Sequence, residues 1–422
     1  MLLNPSNDGD SIVCPTLAKC TGLYYIVRPD TATVCGRNAS HVVAAVMIAF
    51  TAACLSLYPV GLYRWANDTT QLTIQVALYS NFLFGAYKSY MVVRRSRDIW
   101  TCMDVTRAGF ALGHHGRYDR PATGHLHRCR AVSSAFTRWF SVVNYSILFL
   151  WSTIPFMAGD AYIHVRNHDG TFSSYRVNPY NMYFFVSSDT YNQWHLVFHL
   201  LESLFGLCFV MSMILFDTFM VTLCVTIAGQ LKVIGDDFKG LGHSKVSGEN
   251  ELESKKRYFE ELKSIINRYN KVLGKMHDFY EIVRPVILPQ LMVASVTIIC
   301  LSFTLSLNYL NGTLLTSSQS IKFFSFPTFL FQIYYTCLVF GNLNDQKNAL
   351  SFAMYSSNWT QMDMEFKRLF LLMMKMHNAN GLNMKITNKL TIDLELCARV
   401  INMCYSIFSV LVKSQLKSRN NI

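Results

Sequence analysis

The chain has 422 residues, of which 51% are hydrophobic and only 15% charged, against roughly 25% charged in an average soluble domain. That balance, with a mean hydropathy of +0.22, excludes a disordered chain, a coiled coil and a small secreted scaffold, and argues against an ordinary soluble enzyme. A net charge of +12 would suggest nucleic acid in a soluble protein. Here the basic residues gather in a few loops, which is the signature of a helical membrane protein with no nucleic-acid partner.

In chain order, the first 40 residues hold no long apolar core, so no cleavable signal peptide is expected. Seven apolar windows then reach the ~20 residues that a bilayer demands: 42–63, 72–93, 139–159, 194–228, 286–310, 323–343 and 390–412. The fourth exceeds that length, so its end should project beyond the membrane. The seventh is interrupted early by Asp393, Glu395 and Arg399, of which Glu395 and Arg399 are spaced to meet on one helix face.

Lysines and arginines orient these spans. Nine lie between spans two and three, eleven between four and five, and six between six and seven. The intervening loops hold only Arg64, then Arg166 and Arg176, then Lys322. The positive-inside rule places the richer loops in the cytoplasm, the N-terminus inside and the C-terminus outside. Glycosylation sequons at Asn67 and Asn311 fall in outer loops, whereas those at Asn38, Asn144 and Asn358 fall inside or within a span, so sequons carry little weight.

Between spans four and five, Phe259, Leu262, Ile266, Tyr269, Leu273, Met276 and Tyr280 alternate spacings of three and four, an amphipathic stripe over about three heptads. Such a helix either packs on its own subunit or continues into span five and meets other chains. With a second helix over 364–377 it forms a cytoplasmic collar. The fold class is therefore an all-α membrane protein with seven transmembrane helices and a cytoplasmic helical anchor layer. Its units are a membrane domain over 1–228 with an outer-half ligand pocket, an anchor over 229–285, spans five and six with an inner helix over 286–389, and span seven with an outer tail over 390–422.

No enzyme emerges. His195, His199 and Glu202 share a face that could hold a metal, but a polar entrance to a helix is favoured about nine to one, and the metalloprotease order H-E-x-x-H is missing. His114, His115, His125 and His127 lie in a basic inner loop and read as solvated. No C-x-x-C occurs, and the cysteines at 54, 208, 224, 300, 337, 397 and 404 sit in apolar runs as small hydrophobes. Asp217 inside span four must face protein or water; the sequence gives it no partner. No cofactor or metal is expected.

The last third carries a family resemblance. Phe340-Gly-Asn, Ala353-Met-Tyr355-Ser-Ser-Asn-Trp359, the helix beginning Phe366-Lys-Arg-Leu-Phe, and Tyr405-Ser-Ile-Phe408-Ser-Val410-Leu411 resemble the sixth span, inner helix and final span of insect odorant receptors. Asp217-Thr218 and Gly229-Gln230 are similar to that family's fourth span. The resemblance implies a subunit of a tetrameric, odorant-gated, cation-permeable channel at the plasma membrane of olfactory neurons, surrounded by membrane lipid. The second inner loop is shorter than that of the family's co-receptor, which implies a ligand-tuning subunit partnered by the co-receptor. Gustatory receptors share the architecture, but their last-span Thr-Tyr…Gln-Phe signature is missing here. A G-protein-coupled-type receptor is one alternative, and would keep its C-terminus inside; a transporter or intramembrane hydrolase using His195, His199 and Glu202 is another, disfavoured because internal repeats and interrupted helices are not evident.

The resemblance also implies a small volatile ligand between spans two, three, four and six. By position the lining would comprise Leu78, Tyr79, Phe82, Asn144, Ile147, Trp151, Met211, Ile214, Phe331 and Tyr334. On the last span Ser406, Val410 and Ser414 recur every four residues, and the family pattern places Val410 at an apolar gate with Lys413 beside it.

Overall fold

The computed structural model describes residues 19, 22–27, 33–34, 37–64, 66, 68–107, 110, 120–157, 162–166, 171–243, 251–310, 312, 325–387 and 390–420. The sequons at Asn67 and Asn311 and the histidines 114 and 115 lie outside this set. The described helices are α1 (Leu23–Val27), α2 (Ala39–Arg64), α3 (Thr69–Arg94), α4 (Ser96–Cys102), α5 (Arg120–Met157), α6 (Ser188–Gln193), α7 (His195–Gly240), α8 (Glu251–Leu310), α9 (Phe326–Tyr355), α10 (Met364–Ala379) and α11 (Leu394–Asn420). Three two-stranded antiparallel ribbons accompany them: β1 (Thr33–Val34) with β2 (Arg37–Asn38), β3 (Tyr162–Arg166) with β4 (Phe172–Arg176), and β5 (Lys385–Thr387) with β6 (Leu390–Thr391).

Five of these helices are long and apolar enough to cross a membrane: α2, α5, α7, α8 and α11. Two of the expected spans, α3 and α9, fall short by composition, and burial explains why. Their polar residues, including Gln71, Gln75, Asn81 and Lys88 of α3 and Gln332, Asn344 and Lys347 of α9, are buried within the bundle. A helix whose polar groups are satisfied by neighbouring helices needs less hydropathy than one facing lipid.

The axis of the bundle is α7, which packs against α3, α5, α8 and α9. Its 46 residues extend for about 69 Å, well past a hydrocarbon core of ~30 Å. The core is continuous along it, through Phe216, Phe219, Met220, Leu223, Cys224, Ile227, Leu231, Ile234 and Phe238. Close contacts fix its neighbours. A Cβ at Gly229 would overlap the Cys129 sulfur of α5, and Gln230 donates to the carbonyl oxygens of Val105 and Arg107 at 3.2 and 3.3 Å, pinning the turn after α4. The Gly229-Gln230 pair thus serves helix packing.

Asp217 finds its partner in Lys88 of α3, whose ammonium lies 2.6 Å from the carboxylate with both side chains fully buried. Lys88 also lies 4.9 and 5.4 Å from the ring centroids of Phe84 and Phe216, and Gln332 of α9 donates to the other carboxylate oxygen at 3.4 Å. Nearby, Gln290 of α8 donates to Thr336 of α9 at 3.0 Å. Four helices are thereby tied by polar groups at one level of the bundle.

The stretch expected to form an anchor belongs to the same helix as the apolar window that follows it. A single 60-residue helix, α8, runs unbroken through Pro285 and Pro289. Its buried line is Tyr258, Leu262, Ile265, Tyr269, Val272, Met276 and Phe279. That line shares Leu262, Tyr269 and Met276 with the stripe read from the sequence, while Phe259, Ile266, Leu273 and Tyr280 flank it half-buried. The apolar face is therefore wider than one heptad seam. Against it lies α10, capped by Asp363, whose carboxylate accepts from the Phe366 amide at 3.0 Å. This helix buries Phe366, Phe370, Met373 and His377, and the Tyr269 hydroxyl lies 2.8 Å from His377 Nδ1.

The last helix begins at Leu394 and not at residue 390. Leu390 and Thr391 pair with the preceding strand, and Asp393 caps the helix by accepting from the Leu396 amide at 2.8 Å. The charges that seemed to interrupt the span instead start it. Asn344 of α9 fixes this corner, accepting from the Met384 amide at 2.7 Å and donating to the Met384 and Ile392 carbonyls.

Two outcomes test this packing. Replacing Asp217 by Ala leaves a buried ammonium unpaired and should cost about 3–5 kcal/mol, much of which the double replacement Lys88→Met/Asp217→Leu should restore. Thermal unfolding in detergent reads both, and equal midpoints for Asp217→Ala and wild type would remove the pair from the stability account. His377 is held neutral, its pKa lowered to about 4 first by burial and then by Lys347. The unfolded imidazole takes its proton near 6.5, so the contribution is complete above that pH and is lost as pH falls toward 4. The wild-type midpoint should drop more steeply over that window than that of His377→Gln; parallel profiles would refute the assignment.

Candidate ligand-binding site

A cavity of about 80 Å³ lies among α3, α5, α7, α8 and the start of α9. From α3 come Ile74, Ala77, Leu78, Asn81 and Phe82; from α5, Ile147, Leu148 and Trp151; from α7, Phe209 and Val210; from α8, Thr297 and Leu301. Ser325, Phe329 and Tyr180 complete it. Phe82 is the hub of the wall, with its ring centroid 4.2 Å from that of Phe205 and 5.0 Å edge-on from both Tyr180 and Phe209. A polar contact in the lining is made by Asn81, which donates to the Thr297 hydroxyl at 2.5 Å and to its own helix at Ala77. An apolar, aromatic chamber with few polar groups suits a small hydrophobic molecule held by shape and dispersion.

Tyr180 belongs to a loop, residues 177–182, that is buried throughout. A loop inside a bundle must have its backbone satisfied, and Glu202 of α7 does this. Its carboxylate, fully buried, accepts the amides of Tyr180, Asn181 and Met182 at 2.7, 3.2 and 2.9 Å. Asn181 sits at φ 52, which turns these successive amides toward one acceptor. Gln75 donates to the Tyr180 carbonyl at 2.7 Å, and His195 Nε2 lies 3.0 Å from the Val177 carbonyl. Of the residues weighed as metal ligands, Glu202 and His195 thus hold this loop, while the His199 ring packs edge-on to Phe156 at 5.0 Å; among the described residues no cluster suits a metal.

Of the sequence-derived lining, Leu78, Phe82, Ile147 and Trp151 meet in this cavity. Tyr79 stacks on Tyr58, centroids 5.5 Å apart, and Asn144 donates back to the Phe140 carbonyl at 2.8 Å. Ile214 lies in the central core. Phe331 packs edge-on to Trp139 at 4.5 Å, and Tyr334 is on the exposed side of α9. Met211 lines a separate cavity. The lining residues that sequence reasoning left out include Tyr180, Asn81, Phe209, Thr297 and Phe329; the one signal for the Tyr180 loop was a carboxylate, Glu202, in an apolar helix.

Ser406, Val410 and Ser414 are all exposed on α11, Val410 at 66%. This helix touches the rest of the chain through α8 and α9, with Leu396, Cys397 and Cys404 buried and most of its length uncovered.

Gly206 tests the loop's hold on the cavity. A Cβ there would overlap the Tyr180 hydroxyl and crowd a Leu148 methyl, both from residues of the wall. Gly206→Ala should displace Tyr180 and change ligand potency at least fivefold without loss of surface expression; an unaltered concentration–response curve would show that the wall tolerates the shift.

The 7tm Odorant receptor family model matches residues 68–405. The fold is similar to that of the insect olfactory receptor OR5 from Machilis hrabei, with a TM-score of 0.73 at 13% identity over 94% of this chain and 97% of that one. The same receptor in complex with eugenol gives 0.74 at 12% identity, covering 95% and 98%. Comparison with curated protein sequences returns no match. With its family model spanning most of its length and its helices arranged as in an olfactory receptor, this chain belongs to the 7tm odorant receptor family.

Proposed function

We propose that this chain is an odorant-binding subunit that gates a cation channel together with a co-receptor, and that small volatile apolar molecules bind in the cavity walled by Phe82, Trp151 and Tyr180. The observation that carries this reading is that aromatic chamber, roofed by a buried loop. The neighbour solved with eugenol supports the ligand class. In this reading the chain crosses the plasma membrane of a sensory neuron seven times, with α3 and α9 as the two polar-cored spans, its N-terminus inside and its C-terminus outside.

At about 80 Å³ the cavity is smaller than the roughly 300–1,000 Å³ of drug-sized sites, so ligand binding must enlarge it. Phe209 is the side chain to move. Its ring lies so close to Gly85 that a Cβ there would meet it at 2.7 Å, and it reaches from α7 across to α3 at the cavity wall. A volatile of ~10–15 heavy atoms at roughly 0.3–0.5 kcal/mol per atom gains about 3–7 kcal/mol, equivalent to micromolar or weaker affinity. Activation then depends on preferential binding to the open state.

The exposed face of α11 supplies the other half. An apolar helix mostly uncovered in the isolated chain fits a place beside a shared axis, where a ring of Val410 side chains would exclude ions by dewetting. The half-buried flank Phe259, Ile266, Leu273 and Tyr280 of α8 is the surface available for subunit contacts below the membrane.

Co-expression with a co-receptor should give inward cation currents to some members of a panel of esters, alcohols, aldehydes and phenols. Trp151→Ala should reorder that panel while sparing currents evoked by a direct co-receptor agonist; an unchanged order would exclude this cavity. Val410→Ala should raise basal conductance, and an unaltered leak would place the gate elsewhere.

A further inference from the structure

We propose that a second cavity, formed by α1, α2, α3 and α7, is a binding site for one acyl chain of a bilayer phospholipid. It encloses about 300 Å³, nearly four times the first cavity, and is lined by Tyr25, Val43, Ala44, Met47, Val92 and Met211 among others. It lies toward the N-terminal end of α2 and the C-terminal end of α3, whereas the first cavity is walled by the earlier turns of α3.

Three observations fix the occupant. The mouth opens on the outside of the bundle: Val43 is 60% exposed, and with its exposed neighbours Val42 and Val46 it belongs to a helix apolar enough to cross a membrane. On the membrane placement proposed above, on which this inference rests, the medium at this mouth is hydrocarbon. Next, the hydroxyls at its floor are already used. Ser212 donates to the Cys208 carbonyl at 2.7 Å, so its 2.6 Å contact with Ser89 is one in which Ser89 donates. Neither proton is left for a ligand, which disfavours a volatile that needs a hydrogen bond and suits a chain of methylenes. Finally, an apolar cavity of this size does not retain water. Open to lipid, it would otherwise remain a void whose lining forfeits dispersion contacts. An acyl chain fills it with no polar cost.

The site matters because of what it touches. Ser212, Met213 and Asp217 lie within two turns of α7, and Met213 Sδ is 3.4 Å from the Lys88 ammonium. A chain inserted beside Met211 and Leu215 therefore packs on the helix segment that carries the buried ion pair. The inference stands independently of which volatile, if any, opens the channel.

The test reconstitutes the full chain in phosphatidylcholine nanodiscs containing phosphatidylcholine with a diazirine in one acyl chain, followed by irradiation and peptide mapping. Adducts should concentrate on the segments holding Val43, Met47 and Met211, at several times the yield found at Leu200, a residue of α7 that is 68% exposed. Val43→Trp, a change at an exposed position that obstructs the mouth without disturbing the core, should lower those adducts at least threefold and leave Leu200 labelling unaltered. Uniform labelling of both surfaces, or equal yields in Val43→Trp and wild type, would overturn the site. Displacement of the label by eugenol would assign the cavity to a free ligand and equally overturn the lipid assignment.

Discussion

The bundle depends on one constraint, that polar groups inside a membrane protein must be satisfied by the protein itself. Its sharpest expression is the contact of Lys88 with Asp217, two charges withdrawn completely from solvent in the middle of apolar helices. Removing two charges from water costs several kcal/mol per ion even after relaxation, and the pair is tolerable only with close geometry and further hydrogen bonds. Here Gln332 and the faces of Phe84 and Phe216 supply the remainder. Such a pair adds little net stability, but it admits few alternatives: α3, α7 and α9 can approach in one register only, because any other leaves a charge unpaired.

The same rule shapes the roof of the ligand cavity. A loop of irregular backbone is buried at residues 177–182, and the carboxylate of Glu202 collects three of its amides. One acidic side chain on α7 thereby positions Tyr180 against Phe82 and Trp151. The ion pair and this carboxylate both belong to the axial helix, one at Asp217 and the other at Glu202, about four turns apart. The axial helix therefore both walls the cavity and carries the polar knot. In the proposed reading, a ligand that moves Phe209, between them on the same helix, acts on an element that continues well past the cavity, to Gly240. Tyr269 and His377 join α8 to α10, and Asn344 clasps the corner from which α11 departs. A continuous set of packed helices thus connects the chamber to the exposed last helix.

Much of this was legible in the residue order. Apolar windows located α2, α5, α7, α8 and α11, since hydrophobic length is set by bilayer thickness and needs no knowledge of neighbours. The two windows at α3 and α9 were also found, although their composition falls below that of a lipid-facing span. The alternation from Phe259 to Tyr280 identified the inner extension of α8 because helical period is local. The start of the last helix was misplaced, since Asp393 reads as an interruption until its bond to the Leu396 amide shows it to be a cap.

The sequence by itself determined the all-α class of fold, the positions of the long helices and the helical stretches over Phe259–Tyr280 and Met364–His377, because hydropathy and period are properties of neighbouring residues along the chain. Only the tertiary structure decided which aromatic residues surround a cavity. Tyr79 and Phe82 lie on one helix three residues apart, yet one stacks on Tyr58 and the other centres the chamber, a difference of rotation that no pattern encodes. It likewise decided the partner of Asp217, since Lys88 is 129 residues away and long-range electrostatic pairing leaves no periodic trace. And it placed Glu202 and His195 against a loop, the first on three amides and the second on the Val177 carbonyl, because these partners are backbone groups, which every sequence possesses and none displays.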